Sequence, residues 1–156
     1  LPSRTGHLRL NTAISASYVR VDDFGVQDGV ARTSLLSPGT GSFSLQAWLD
    51  VPTMTGSEDT QVVFQKSRQP SGDGYTVFLS GSSIFACVVS GSVTTTVEAP
   101  LTAMPMFFSA VCDRTSTGTL AIYTATTGTF PSLIQRTSLW FSSRLDLASG
   151  SFFIGS

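Results

Sequence analysis

Apolar and polar residues alternate one for one in short windows along the whole chain, and clusters of Gly, Pro, Ser and Asp separate the windows. Successive side chains of an extended strand point to opposite faces, so this period of two marks strands with one buried face. The pattern predicts strands over residues 7–10, 18–21, 43–51, 61–66, 75–80, 84–89, 93–98, 106–113, 119–124, 133–139 and 151–154. Helical periodicity is nearly absent. Ser37-Pro38-Gly39, Ser71-Gly72-Asp73-Gly74, Ser80-Gly81-Ser82, Ser90-Gly91 and Thr117-Gly118 supply the positive or preset φ that chain reversals need. So many short strands joined by turns predict an all-β fold, an antiparallel two-sheet β-sandwich over residues 1–156 as one domain, without internal repeat or linker.

Within 43–51, Phe43, Leu45, Ala47, Leu49 and Val51 share one face, while Ser44, Gln46, Trp48 and Asp50 share the other. The apolar face is expected to close the core. The second face offers an aromatic ring for stacking on the apolar side of a sugar, with Gln46 and Asp50 placed to bond its hydroxyls. The alternative is that Trp48 packs beneath a covering loop. Trp140, beside Phe141, is a second candidate platform, and Tyr75 completes the set of candidate ligand contacts. The polar stretches 53–60 and 66–74 are loops of the kind on which rigid sandwiches present binding groups.

Composition narrows the classes. With 41% hydrophobic residues and a net charge of −1, the chain has enough apolar surface to fold and too little charge to stay disordered. A pI near 5.6 and 12% charged residues argue against a surface that follows a phosphate backbone, so nucleic acid is not an expected partner. Ser and Thr make up 44 of the 156 residues, and Lys66 is the single lysine, a balance suited to sheets and turns. No apolar run reaches the ~18 residues that a membrane helix needs, so no membrane insertion is expected. Asn11 is followed by Thr12-Ala13 and makes no glycosylation sequon.

Few residues carry obvious chemistry. His7 is the only histidine, and nothing in the spacing brings it to a serine or cysteine nucleophile. Cys87 and Cys112 lack CxxC spacing, which argues against a zinc site, and they either bridge two strands or remain buried thiols. Asp22, Asp23, Asp28, Asp59, Asp73 and Asp146 fall in loops and read first as turn and solubility residues.

Phe43-Ser44-Leu45-Gln46-Ala47-Trp48 resembles the early Phe-Thr-aliphatic-x-Ala-Trp strand of laminin-G-like and pentraxin-like jelly rolls, in the concanavalin A-like superfamily. Gly6-His7-Leu8-Arg9-Leu10 with Tyr18-Val19-Arg20-Val21 is similar to the opening hairpin of that family. Phe64-Gln65-Lys66 and Gly74-Tyr75-Thr76-Val77 are similar to its next two strands. Phe107-Phe108-Ser109-Ala110-Val111, Gly118-Thr119-Leu120-Ala121-Ile122-Tyr123 and Phe153-Ile154-Gly155-Ser156 follow in the family's order. The chain departs from it where Met106 or Phe107 replaces a tryptophan, and it ends at Ser156 before the family's last strand. A missing last strand would leave a sheet edge that another segment, a partner or further residues must cover, and a module of a larger protein is the expectation.

The resemblance implies a concanavalin A-like jelly roll that acts as a recognition or adhesion module at a cell or virion surface or outside the cell. Its expected partner is a glycan or glycoprotein. The alternative is a structural or protein-interaction domain of a surface, tail-fibre or multidomain secreted protein, contacting a protein partner or further domains of the parent chain. No cofactor is expected except calcium, which several relatives hold at the rim through Asp carboxylates. Relatives that are glycoside hydrolases set paired carboxyls roughly 5 to 10 Å apart; the only glutamates here are Glu58 and Glu98, without the Glu-x-Asp-x-x-Glu cluster, so no enzyme is expected.

Overall fold

The computed structural model describes residues 19–21, 26–27, 30–31, 36–51, 60–67, 73–115, 118–139, 145 and 152–155. Every regular element among them is a strand: β1 (Val19–Val21), β2 (Val26–Gln27), β3 (Val30–Ala31), β4 (Phe43–Leu49), β5 (Thr60–Ser67), β6 (Gly74–Ser80), β7 (Ser83–Ser90), β8 (Val93–Pro100), β9 (Met106–Asp113), β10 (Thr119–Thr126), β11 (Ser132–Ser138) and β12 (Phe152–Ile154). Two antiparallel sheets form a β-sandwich, one in the order β1-β12-β5-β6-β7-β8 and one in the order β11-β10-β9-β4; β2 and β3 make a small separate hairpin. The architecture is compatible with a jelly roll.

Alternation places these strands. Val77, Leu79, Ile84, Ala86, Val88, Val97 and Ala99 line the inner face of the larger sheet, opposite Met106, Phe108, Ala110, Cys112, Leu120 and Ile122 of the smaller. Phe43, Leu45, Ala47 and Leu49 add the half-buried inner face of β4. A slip of one residue in any of these strands would expose its whole apolar set, which is what fixes the register. Aromatic rings tie the layers together: Phe64 of β5 lies 6.1 Å from Phe108 of β9, and Phe43 of β4 lies 4.9 Å from Tyr75 of β6. Burial of each such side chain contributes about 1.5–3 kcal/mol.

The β6-β7-β8 meander turns on two-residue loops led by Gly81 and Gly91, whose φ values are 57° and 60°. A Cβ at either would meet nothing within 4 Å, so conformation rather than space selects glycine there.

The strand over 106–113 has the predicted bounds, and the other described strands from β4 onward agree with the pattern to within two residues. The β2-β3 hairpin was not signalled, its strands being too short to show a period. The predicted strand 7–10 lies outside the described residues. β1 pairs with β12, which lies between β1 and β5, so of the alternatives for covering the edge at the last strand it is another segment, β1, that lies against β12. The disulfide alternative is corrected: Cys87 alternates with inward-facing Ala86 and Val88 and faces out, whereas Cys112 faces the core, and both are free thiols.

Candidate functional site

The outer face of the four-stranded sheet is built from the residues that alternate with the core set. In register across the strands, Trp48 sits beside Phe107 and Ala125, Gln46 beside Ser109 and Tyr123, and Ser44 beside Val111, Ala121 and Arg136. β4 places three of the predicted residues together here: Gln46 and Trp48 on the strand, and Asp50 just past its end, all exposed. Trp48 is 57% exposed, and its ring lies 5.6 Å from that of Phe107 at 57°. A tilted contact of this kind supports the indole from one side and leaves ring surface open. Among the described residues no loop covers Trp48.

Ser109, Ala121 and Ala125 are buried at 7%, 3% and 7% exposure, yet their parity puts them on this outer face and outside the core cluster. They form a low floor between larger side chains. On the far side Arg136 Nη2 donates to Tyr123 Oη at 3.2 Å, joining β11 to β10 above that floor. With strands about 4.8 Å apart and about 3.4 Å of rise per residue, Trp48 and Tyr123 stand roughly 12 Å from each other.

One end of the face is braced by Asp113. Its Oδ1 accepts from Thr115 N at 2.9 Å, Thr115 Oγ1 at 2.7 Å and Ser42 Oγ at 3.2 Å. The Thr115 amide first, then the Thr115 and Ser42 hydroxyls and the charge of Arg136, hold the Asp113 carboxyl below its usual range against a smaller desolvation effect. Arg114 N donates to Ser42 Oγ at 2.8 Å, and Arg114 Nη1 to Gly39 O at 2.5 Å, which ties residues 39–42 to the β9-β10 turn.

The other predicted residues lie elsewhere. Tyr75 does not join the face: it is 4% exposed in the core, where its hydroxyl donates to Leu36 O at 2.9 Å and its ring packs on Phe43 and Phe152. Its place in strand alternation with Val77 and Leu79 is what turns it inward. Trp140 lies outside the described residues, as do His7, Glu58, Asp22, Asp23, Asp28, Asp59 and Asp146. Glu98 is on the outer face of the other sheet and accepts from Ser83 Oγ at 2.6 Å. Asp73 Oδ1 accepts the Gly91 amide at 2.5 Å and so fastens the β7-β8 turn. Among the described residues no group of three or more His, Cys, Asp or Glu side chains converges as a metal site.

Burial pushes the Cys112 thiol up to about 11, with Arg114 opposing and Asp113 adding to the shift; burial also raises Cys87, opposed by a hydrogen bond to Thr96. Both stay protonated at neutral pH and are poor nucleophiles. No helix among the described residues is long and apolar enough to cross a membrane.

Sequence reasoning missed Phe107, Tyr123, Arg136 and the small-residue floor. Their parity within each strand was readable, but the register that sets Phe107 beside Trp48 belongs to the pairing of β4 with β9, strands more than fifty residues apart. No protein-family model matches the chain, and no curated protein matches it in sequence. What the chain establishes about its kinship is thus its architecture, an all-strand antiparallel β-sandwich of two sheets.

Proposed function

We propose that this protein is a non-catalytic recognition module that binds carbohydrate on the outer face of the four-stranded sheet. The observation that carries the reading is Trp48, 57% exposed and backed by Phe107, with exposed Gln46 and Asp50 on the same side. An indole face satisfies the apolar side of a pyranose, while a side-chain amide and a carboxylate match its hydroxyls in the plane. Laminin-G-like kinship within the concanavalin A-like superfamily, and a place outside the cell or at a cell or virion surface, are part of the same proposal. They rest on the strand motifs and on a β-sandwich that such kinship requires.

Binding to a glycan array, with and without calcium, tests it. A Trp48→Ala variant that melts like the parent should lose array binding; retained binding would overturn the assignment of this face. The competing reading, a protein-interaction domain, draws on exposed apolar residues at a different edge of the molecule.

A further inference from the structure

The outer face of the smaller sheet is polarised from one corner to the other. Arg136 is the only basic residue in its four strands and Asp113 the only acidic one, with Asp50 just past the end of β4. Register places Arg136 three strands across from β4 and two rows away from Trp48, so Asp50 and Arg136 occupy opposite corners.

Donors dominate the Arg136 corner. A guanidinium carries five N–H donors and no acceptor. Its Nη2 gives one to Tyr123 Oη at 3.2 Å, and because that oxygen accepts, the phenol proton is left for a second partner. Among the described residues neither group has a further hydrogen-bond partner. Arg136 is exposed and Tyr123 half-buried, so both are open to a ligand.

Asp113 does not claim this guanidinium. It lies on β9, two strands from β11, and its Oδ1 is occupied by Thr115 and Ser42 on the side away from β11. Of the influences on the Asp113 carboxyl the Arg136 charge is the smallest. Two strand spacings and one row separate their backbones by roughly 12 Å, a range at which salt screens exposed charges.

We infer that the ligand of this face is an acidic oligosaccharide, with a neutral ring stacked on Trp48 and the carboxylate of a uronate or similar acidic sugar held by Arg136 and Tyr123. The inference rests on the carbohydrate reading and names its ligand class. A sugar hydroxyl both donates and accepts, which suits the Gln46 amide and the acceptor-only Asp50 carboxylate. An ionised sugar carboxyl only accepts. Beside Asp50 it would meet like charge, whereas at Arg136 a planar fork of donors matches its two oxygens. The two corners therefore fix which way round the ligand lies. Trp48 and Tyr123 stand roughly 12 Å apart, which is more than one pyranose ring spans, so both ends are filled only by a ligand of several sugars.

An array bearing neutral, uronate-containing, sialylated and sulfated glycans, with each carboxylated glycan also printed as its methyl ester, tests the inference on the whole chain. Carboxylated glycans should bind at least about tenfold more tightly than their esters, the size of one charge-assisted contact. Arg136→Gln should bring the acid down to the level of its ester, and Arg136→Lys, which keeps the charge but loses the fork, should fall between. Arg136 is exposed, so both variants should melt like the parent. Esters bound as tightly as acids, an acid preference that survives Arg136→Gln, or sulfated glycans preferred to carboxylated ones overturns it. Glycan binding that depends on Trp48 but shows no acid preference sinks this inference alone. Acid binding that is lost in Arg136→Gln yet untouched by Trp48→Ala sinks the stacking platform, and an array on which nothing binds sinks both.

Discussion

Both sheets of the sandwich carry an aromatic pair on the outer face, and the two pairs do opposite things. On the larger sheet Phe78 and Phe85 stack 5.0 Å apart at 12°, in a row with Val62 and Glu98. Each ring covers the face of the other, and both are half-buried. On the smaller sheet Trp48 meets Phe107 at 57° and stays 57% exposed, above a floor of small side chains. Aromatic content alone therefore does not make a binding face; what matters is whether ring surface is left open and has polar neighbours and room beside it.

The largest expected effect tests what the two faces share. Phe108→Ala empties the middle of the common core, where Phe108 has no exposure, and should cost about 3–5 kcal/mol in denaturant unfolding. Next, Trp48→Ala should weaken glycan binding by about 2 kcal/mol, roughly thirtyfold in a titration, with little change in melting. Phe85→Ala should do the reverse, lowering stability by about 1–2 kcal/mol, as a half-buried ring allows, with binding unchanged. If Phe85→Ala abolished binding instead, the site would have to move to the larger sheet.

A finer contrast lies within β8. Thr94 is exposed, whereas Thr95 is buried at 4% and its hydroxyl has no hydrogen-bond partner among the described residues. Thr95→Val, which keeps the shape and removes the stranded hydroxyl, should raise stability by about 1 kcal/mol, while Thr94→Val should stay within about 0.5 kcal/mol of the parent. The smallest effect concerns Asp113. Its carboxyl is held below the unfolded value, so its contribution is complete above that value and fades as pH falls through the lower, folded one. Melting followed from neutral to acid pH should show a slight decline that Asp113→Asn removes.

How far the sequence could be read depended on the range of the interaction. β9 was legible from end to end because Met106, Phe108, Ala110 and Cys112 repeat with period two, and the meander turns were legible because Gly81 and Gly91 need positive φ. Gln46, Trp48 and Asp50 were legible as one face for the same reason. Tyr75 was not: an aromatic residue at the start of a strand reads equally as platform or core until the neighbouring strands fix which side is in. The cysteines were ambiguous on the same ground, since chain distance says nothing about which face of which sheet each occupies.

By itself, then, the sequence determined the strands, most of the turns and the two-faced character of each strand, because backbone geometry converts a local period into a local structure. Only the tertiary structure decided that Trp48 rests on Phe107 over Ser109, Ala121 and Ala125, and that β11 is an edge carrying exposed Leu133 and Ile134. Those facts depend on which strands pair and in what register, and that choice is made by burial of all the strands at once.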